Sequence, residues 1–215
     1  MSGSAESTPP SVEAWLARFS TDSPPIGQAG AAITIVLRSG EREVEVLLIE
    51  RTERESDPAS GQVALPGGHV ADGDGNLART ALRELAEEVG LEESDLEGDL
   101  RYVGTEHARR FGLNVAVFAV PLGSTSRPAF PRSAEEVAHV FWLPLGALSR
   151  TQHVHRETGR GLIEVPASVY DGHILWGFTR RVLRQFFELK VEDDTVGPVF
   201  VPHTSPSAPN REARP

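Results

Sequence analysis

The amino-acid sequence predicts an α+β fold, and two observations support this. Several short segments are rich in β-branched and apolar side chains and are bounded by turn residues, which is typical of strands. Two longer segments, residues 77–89 and 176–189, repeat apolar side chains at the spacing of an amphipathic helix. Because these helices do not alternate with the strands as β-α-β units would, an α+β fold is favoured over a doubly wound parallel sheet.

The predicted body begins with a pair of strands. Residues 31–37 are mostly apolar, and residues 43–51 alternate before they become apolar. We expect these two segments to pair antiparallel across the turn at residues 39–40. A further short strand is predicted at residues 62–65, where the Pro-Gly-Gly sequence of residues 66–68 ends it.

The first long helix has sequence signals at both ends. Asn76 is the predicted N-cap, because its short side chain can accept a hydrogen bond from the first helical turn. Gly90 follows the last helical residue and is suited to the left-handed conformation there, and Leu91 is expected to fold back on the helix. These signals bound the helix at residues 77–89.

The second half of the body continues with strands and closes with a helix. Three strand-like runs are predicted, at residues 100–104, 114–121 and 137–143. We expect a hairpin formed by residues 162–165 and 168–170, followed by the helix at residues 176–189. Two polar segments, residues 92–99 and the His-Val-His sequence at residues 153–155, are interpreted as surface loops.

The chain is predicted to have three parts. Residues 1–29 form an N-terminal tail with a short helix near residues 12–19, and residues 30–192 form the folded domain. Residues 193–215 hold five prolines and few large apolar groups, so we interpret them as a C-terminal tail. One domain with two tails agrees with a length of 215 residues.

The composition excludes several classes of protein. There are no cysteines, so disulfides, thiolate metal sites and cysteine nucleophiles are ruled out. The 21 basic and 31 acidic residues give a formal charge of −10, which argues against a nucleic-acid-binding protein. Because no apolar stretch approaches the roughly 20 residues that span a bilayer, we expect no membrane partner and a cytoplasmic protein.

Three carboxylates on the first long helix carry the chemical signal. Glu84, Glu87 and Glu88 fall within an arc of about 100° on a helical projection. Like charges at this spacing repel one another, which is unfavourable unless solvent or a cation compensates. A hard divalent cation such as Mg²⁺ or Mn²⁺ prefers such oxygen ligands. The alternative is a solvated helix face on which Arg79 and Arg83 offset the charge.

The run from Arg83 to Leu91, together with Gly68, resembles the Nudix box of the Nudix hydrolases. That box is written G-x5-E-x7-R-E-U-x-E-E-x-G-U, where U is an aliphatic residue, and the run fits at every specified position. The loop between Gly68 and Arg83 is one residue longer than the pattern. Asp74 occupies the position of the mid-loop glutamate.

The longer loop is similar to that of the coenzyme A pyrophosphatase-like branch of the family. Residues 47–52 and 61–68 partly match the upstream signature of that branch. Asp57 stands where the branch has its second arginine, Leu65 stands where it has phenylalanine, and Arg54 is the nearest basic residue. Two later segments are also similar to the branch: residues 136–145 and 172–177.

The resemblance implies a Nudix fold, in which a mixed central sheet is sandwiched between helices in an α/β/α arrangement. It also implies a pyrophosphohydrolase that uses Mg²⁺ or Mn²⁺ to cleave a small-molecule nucleoside diphosphate derivative. Divalent ions neutralise the phosphates and lower the pKa of bound water. The resemblance assigns catalytic roles to Arg83, Glu84, Glu87 and Glu88, and metal ligation to the three glutamates and the Gly68 carbonyl.

Five residues are assigned to substrate binding: Arg51, Arg54, Gly67, Gly68 and Phe111. Arg51 is expected to end a strand near the Pro-Gly-Gly turn, and its planar fork can hold two phosphate oxygens. An ion pair between Arg51 and Glu88 is an equally acceptable interpretation. The general base is left open between Glu87 and Glu88 in the box and two outside candidates, which are Glu106 and Glu136.

The implied substrate is coenzyme A or its thioesters. The departures at Asp57 and Leu65 leave other substrates open, such as a dinucleoside polyphosphate, NADH or a nucleotide sugar. A second alternative is a Nudix-fold binding module without catalysis. The intact set of mutually repelling carboxylates argues against that alternative, because a site freed from catalysis gains nothing by keeping them.

Overall fold

The computed structural model describes residues 12–54, 60–158, 161–189 and 199–200. Residues 1–11 and 201–215 of the predicted tails, and Asp57, lie outside those ranges. Within the described residues, a main sheet contains the strands β1 (Ala31–Ser39), β2 (Val44–Arg51), β3 (Val63–Ala64), β4 (Gly67–His69), β5 (Arg101–Ala108), β6 (Leu113–Pro121) and β7 (Val137–Pro144). The helices are α1 (Val12–Leu16), α2 (Leu77–Val89), α3 (Leu145–Leu148) and α4 (Gly177–Phe186).

β1 lies at the centre of the main sheet. It pairs antiparallel with β2 and β4 and parallel with β6, within the strand order β3-β2-β1-β6-β5. β7 pairs antiparallel with β2 along Glu45–Arg51, on the edge of β2 opposite to β1. The parallel β1–β6 ladder beside antiparallel ladders makes the sheet mixed, which confirms the predicted fold class.

Helices cover both faces of the main sheet. Along β1, Ala32 and Val36 belong to the apolar cluster formed with α2, whereas Ile35 and Leu37 belong to the cluster formed with α1, α3 and α4. The alternation follows from the two-residue period of a strand. The resulting α/β/α arrangement agrees with the sandwich expected from the sequence.

The ends of α2 are those predicted from the sequence. The Asn76 side chain accepts a hydrogen bond from the backbone N–H of Arg79 at 2.9 Å. Gly90 has a φ of 71°, a conformation that glycine adopts without a steric penalty. Leu91 is fully buried and donates its backbone N–H to the carbonyl of Leu85 at 3.3 Å. Local chemistry therefore fixes this helix.

The N-terminal helix α1 packs against α4. Its Trp15 ring lies 5.2 Å from the ring of Phe186 and 4.5 Å from that of Phe187, measured between centroids. Val12 and Leu16 are buried in the same cluster. The predicted short helix is confirmed, and it contributes apolar area to the core. Within the described residues, no helix is both long and apolar enough to cross a bilayer.

A second, smaller sheet corrects two predictions. It consists of β8 (Gln152–Thr158), β9 (Gly161–Tyr170), β10 (His173–Trp176) and β11 (Val199–Phe200). The hairpin predicted within residues 162–170 is wrong, because β9 is continuous and Pro166 lies between residues paired with β11 and residues paired with β10. The polar loop predicted at residues 153–155 is also wrong, because alternating exposure there belongs to β8.

The acidic segment after α2 is not simply a solvated loop. Glu93–Asp95 form a 3-10 turn, and Asp95 is only 7% exposed. Its carboxylate accepts hydrogen bonds from the backbone N–H of Glu92 at 2.9 Å and of Arg127 at 3.2 Å. The prediction is therefore wrong for Asp95, since the partner from residue 127 is distant in sequence and invisible to a local pattern.

Candidate active site

A cavity of about 360 Å³ lies between the N-terminal half of the loop that follows β4, the end of β2 and the polar side of α2. It is lined by Arg51, Thr52, Arg54, Gly67, Gly68, His69, Val70, Ala71, Arg83, Glu84, Glu88 and Glu136. Most residues assigned to catalysis or substrate binding from the sequence therefore meet here. Thr52 lies in the branch-like segment at residues 47–52 but was assigned no role, and Val70 and Ala71 had no signal in the sequence because their side chains carry no distinctive chemistry.

The Pro-Gly-Gly turn brings backbone against the carboxylates of α2. Gly67 has a φ of 149°, and a Cβ there would collide with the backbone of Ala32 and Ile33. A Cβ on Gly68 would collide with the carboxylate of Glu84. The backbone N–H of Gly67 donates to Oε2 of Glu88 at 2.8 Å. Both glycines are required because only a residue without a side chain allows this approach.

Arg83 connects the loop to the helix. Its guanidinium donates to Asp74 at 3.0 and 3.2 Å, to Oε1 of Glu84 at 2.8 Å and to Oε2 of Glu87 at 2.8 Å. It also donates to the backbone carbonyl of His69 at 2.9 Å. Arg83 therefore fixes the loop between Gly68 and α2 against two of the box glutamates.

Asp74 is the main residue whose role the sequence did not assign. It is almost fully buried, and its carboxylate also accepts hydrogen bonds from the backbone N–H of Ala71 and the hydroxyl of Thr80. The hydrogen bonds from Arg83 hold the pKa of Asp74 well below its usual range. The signal was its place at the mid-loop position of the box, and the structure shows that its shorter carboxylate reaches the arginine from there.

Glu84 and Glu88 face the cavity in an unfavourable environment for charge. Glu88 is only 3% exposed, and burial raises its pKa to about 8, with the nearby charges of Glu84 and Glu136 adding to the rise. Burial likewise raises the pKa of Glu84, against the opposing effect of Arg83. Carboxylates that share a buried wall in this way gain from a cation between them.

The donor set fits a hard divalent cation. Glu84, Glu88 and Glu136 line one cavity, and oxygen ligands of this kind suit Mg²⁺ and Mn²⁺. Glu87 instead forms its ion pair with Arg83, and its side chain is 56% exposed. As the side chains of the described residues stand, no three acidic or histidine groups converge on one point. Glu87 can therefore coordinate a metal ion only if its carboxylate leaves the ion pair with Arg83.

Arg51 and Glu136 form the wall opposite α2. Arg51 ends β2 and lies close enough to Glu88 that its charge lowers the pKa of that carboxyl group. The backbone carbonyl of Glu136 accepts the N–H of Thr52 at 3.0 Å. Arg54 lies next to them, and its guanidinium donates to the carbonyl of Glu135. The cavity thus has carboxylates on both walls and two arginines on one side.

Besides Glu87, two of the predicted residues do not line the cavity. Phe111 is in the turn between β5 and β6, is 54% exposed, and does not line the cavity. Glu106 was predicted in a loop, but it lies within β5, where Arg181 and Gln185 donate to its two oxygens at 2.8 and 2.9 Å. Strand β5 is longer than predicted because its ladder with β6 continues past the glycine at position 104.

Comparisons with known proteins identify the family of this chain. Residues 28–163 match the NUDIX domain, and the chain therefore belongs to the NUDIX family. The chain is 35% identical over 129 residues to the peroxisomal coenzyme A diphosphatase ndx-8 of Caenorhabditis elegans. That alignment covers 59% of this chain and spans about half, 53%, of the relative.

A second relative matches over nearly its whole length. The uncharacterized Nudix hydrolase NudL of Yersinia enterocolitica is 31% identical over 181 residues, which cover 80% of this chain and 89% of that protein. Both relatives are Nudix proteins similar to this chain, and the name of the ndx-8 relative is that of a coenzyme A diphosphatase. Among solved structures, a MutT/nudix family protein from Enterococcus faecalis has a TM-score of 0.50 at 18% identity, covering 78% of this chain and 64% of that one.

Proposed function

We propose that this protein is a divalent-metal-dependent pyrophosphohydrolase that cleaves the diphosphate bridge of a nucleoside diphosphate derivative. The observation that carries the proposal is the pair of cavity-facing carboxylates, Glu84 and Glu88, held against the Gly67–Gly68 turn with Arg51 on the opposite wall. The carboxylates that line the cavity need a cation, and Arg51 can then hold the anionic substrate beside it.

The metal ion is Mg²⁺ or Mn²⁺ in this proposal. Glu84 and Glu88, the carbonyl of Gly68 and, after release from Arg83, Glu87 would hold it. When bound, the ion neutralises the phosphates and increases the acidity of the attacking water. Arg83 acts as a positioning residue, because its hydrogen bonds set the orientation of Glu84 and the loop that carries Gly68.

The proton of the attacking water needs a separate acceptor. If Glu84 and Glu88 bind the ion, Glu136 is the remaining carboxylate that lines the cavity. It lies immediately before β7 on the wall opposite α2, so it can approach the substrate from the other side. We therefore favour Glu136 as the general base, and Glu87 is the alternative within the box.

Four further groups are assigned to the substrate. Arg51 and Arg54 bind phosphate oxygens, and the Gly67–Gly68 backbone approaches the diphosphate closely. A planar guanidinium suits this role because it can donate two parallel hydrogen bonds to one phosphate. Phe111 is assigned to the end of the substrate that extends beyond the cavity, consistent with its exposed position between β5 and β6.

Coenzyme A or one of its thioesters is the proposed substrate. The name of the ndx-8 relative supports it, as do the branch-like segments at residues 136–145 and 172–177. A dinucleoside polyphosphate, NADH or a nucleotide sugar is the alternative. A cytoplasmic location stays a prediction, and the ndx-8 relative is named as peroxisomal.

The proposal is tested with a panel of diphosphate-bridged substrates in the presence of Mg²⁺ or Mn²⁺, with products identified by mass. We expect coenzyme A to yield two phosphorylated fragments, with the 3′-phosphate retained on the adenosine product. Turnover of NADH or a dinucleoside polyphosphate without turnover of coenzyme A would retire the coenzyme A assignment. Absence of turnover for the whole panel would support the non-catalytic alternative.

A further inference from the structure

Two histidines from the branch-like segments meet at one carboxylate behind the active-site cavity. His173 begins β10 in the small sheet, and its Nδ1 lies 2.8 Å from Oε2 of Glu50. His139 of β7 reaches the same oxygen, with its Nδ1 at 3.3 Å. The His173 ring also stacks on Phe141, with centroids 3.9 Å apart and an interplanar angle of 6°. Glu50 is thus held by the main sheet and the small sheet together.

The side-chain directions along β2 explain how Glu50 can influence the cavity without lining it. Glu50 lies opposite His139, but an irregularity between Glu50 and Arg51 places Arg51 opposite Val137. The extra residue at this irregularity is Ala138 in β7, so the side chains of β2 keep their regular alternation between the two faces, and residues that lie opposite each other share a face. Val137 belongs to the apolar cluster of α2. Glu50 therefore faces away from α2, whereas the next residue, Arg51, lines the cavity.

Thr52, the residue after Arg51, is hydrogen-bonded to the segment that carries Glu136. The Thr52 hydroxyl donates to the carbonyl of Ala134 at 3.0 Å, in addition to the Thr52 N–H bond to Glu136. Displacement of the end of β2 would therefore move Arg51 and Glu136 together. In addition to the backbone pairing with β3 and β7, the side chain of Glu50 holds this end from the other face of the sheet through His173.

We propose that the Glu50–His173 pair is a positioning device that sets Arg51 and Glu136 for the diphosphate. It gives a role to His173 and to the segment at residues 172–177, which does not line the cavity. The inference rests on the proposed function, because it concerns the residues that would hold the substrate. A loss of such alignment weakens catalysis without removing any group that touches substrate.

Two substitutions at one position separate the hydrogen bond from the ring stack. His173→Phe keeps a ring against Phe141 and removes the donor, whereas His173→Asn keeps a donor near the Nδ1 position and removes the ring. His153→Phe is the matched control, since His153 is exposed on β8. Each variant is compared in the wild-type and Arg51→Ala backgrounds by kcat/KM, melting temperature and the Kd of α,β-methylene-ADP with Mg²⁺.

In the wild-type background, we expect His173→Phe to lower kcat/KM about tenfold and His173→Asn to recover most of that loss. With Arg51→Ala, His173→Phe should lower kcat/KM by a clearly smaller factor than in the wild-type background, because one of the two groups that it positions is gone. His153→Phe should match wild type. An equal loss in both backgrounds, or no recovery with His173→Asn, would overturn the proposal and indicate a structural role only.

The binding measurement separates this inference from the proposed function. If the wild type turns over no substrate, the proposed function fails, and the Kd ratio between His173→Phe and wild type decides the positioning role. Weaker binding of the analogue in His173→Phe, with recovery in His173→Asn, supports it. Equal binding in all three, or no binding by the wild type, overturns it.

Discussion

Two buried carboxylates at opposite ends of the Glu88–Asp95 segment differ in how their charge is compensated. Asp95 accepts hydrogen bonds from two backbone N–H groups and from the Arg127 guanidinium, and these hold the pKa of Asp95 below its usual range. Glu88 has the N–H of Gly67, but it faces Glu84 and Glu136, and burial raises its pKa to about 8. Both side chains are almost fully enclosed, but burial is the main influence on the pKa of Glu88, whereas the hydrogen bonds outweigh burial at Asp95.

The comparison separates a structural carboxylate from a functional one. A buried charge that is fully hydrogen-bonded stabilises the fold and needs nothing more. A buried charge that faces other carboxylates costs stability until a cation arrives, which is the arrangement expected of a binding site. Asp74 belongs with Asp95, because Arg83 and two further donors compensate it. It lies beside the cavity as part of the scaffold that holds Arg83.

Replacement of Glu88 should have the largest effect on activity. Glu88→Gln keeps the volume and an oxygen that can accept the Gly67 N–H, but it removes an anionic ligand. We expect kcat to fall by about 100-fold or more, with a melting temperature equal to or above that of the metal-free wild type. Enzyme assays and thermal melts on the same samples test this. Full activity of Glu88→Gln in metal-replete buffer would contradict the assignment of Glu88 as a metal ligand.

Glu87→Gln sharpens the same prediction. Its ion pair with Arg83 is exposed, so its loss should affect stability little. A large loss of kcat, by about tenfold or more, is still expected if Glu87 moves to the ion during turnover. Unchanged kcat would limit metal ligation to Glu84 and Glu88.

Replacement of Asp95 should produce the opposite pattern. Asp95→Asn leaves one of the buried donors without an acceptor and removes the charge opposite Arg127. We expect a loss of about 1–3 kcal/mol in the free energy of unfolding and an unchanged kcat/KM. Chemical denaturation followed by kinetics provides both values. A fall in kcat/KM comparable to that of Glu88→Gln would remove the distinction between the two carboxylates.

Arg51→Lys asks whether the arginine is a phosphate ligand or only a partner of Glu88. Lysine keeps the charge but cannot form two parallel hydrogen bonds to one phosphate in the same geometry. As a phosphate ligand, Arg51 should lose about tenfold in kcat/KM on this substitution, with little change in melting temperature. The reverse result, near-wild-type kcat/KM with a lowered melting temperature, would assign Arg51 to structure.

The smallest effect is expected when the pH is lowered, and it concerns the contribution of Asp95 to stability. The folded-state pKa of Asp95 lies below its ordinary value of 3.8, so its contribution to stability is present above that value. It is lost as the pH falls through the folded-state pKa, because the folded carboxylate must then take up a proton. The stability difference between wild type and Asp95→Asn should therefore be constant near neutrality and shrink below about pH 4. A difference that persists to the lowest pH at which both fold would contradict this assignment.

Local signals in the sequence determined α2 and the identity of its chemical groups. Asn76 and Gly90 bound the helix because a cap depends on residues within one turn. The antiparallel pairing of β1 with β2 was also predictable, since a short turn joins two strands of matching pattern. The carboxylates of Glu84 and Glu88, the glycines of the turn and Arg83 were all named from the sequence, and the structure brings them to one cavity.

Only the tertiary structure decided which side chains are paired and which remain to bind a ligand. Asp95 was predicted to be one acid in a solvated loop, but in the structure Arg127 donates a hydrogen bond to its carboxylate. Glu106 was a candidate base, but Arg181 and Gln185 donate to its two oxygens away from the cavity. The unbroken course of β9 through Pro166 likewise depends on its pairing with neighbouring strands, β8 along its length and the distant β11 at Ile163 and Glu164. The physical reason is that caps and turns are satisfied by near neighbours, whereas the pKa of a carboxylate and the continuity of a strand depend on partners that folding brings together.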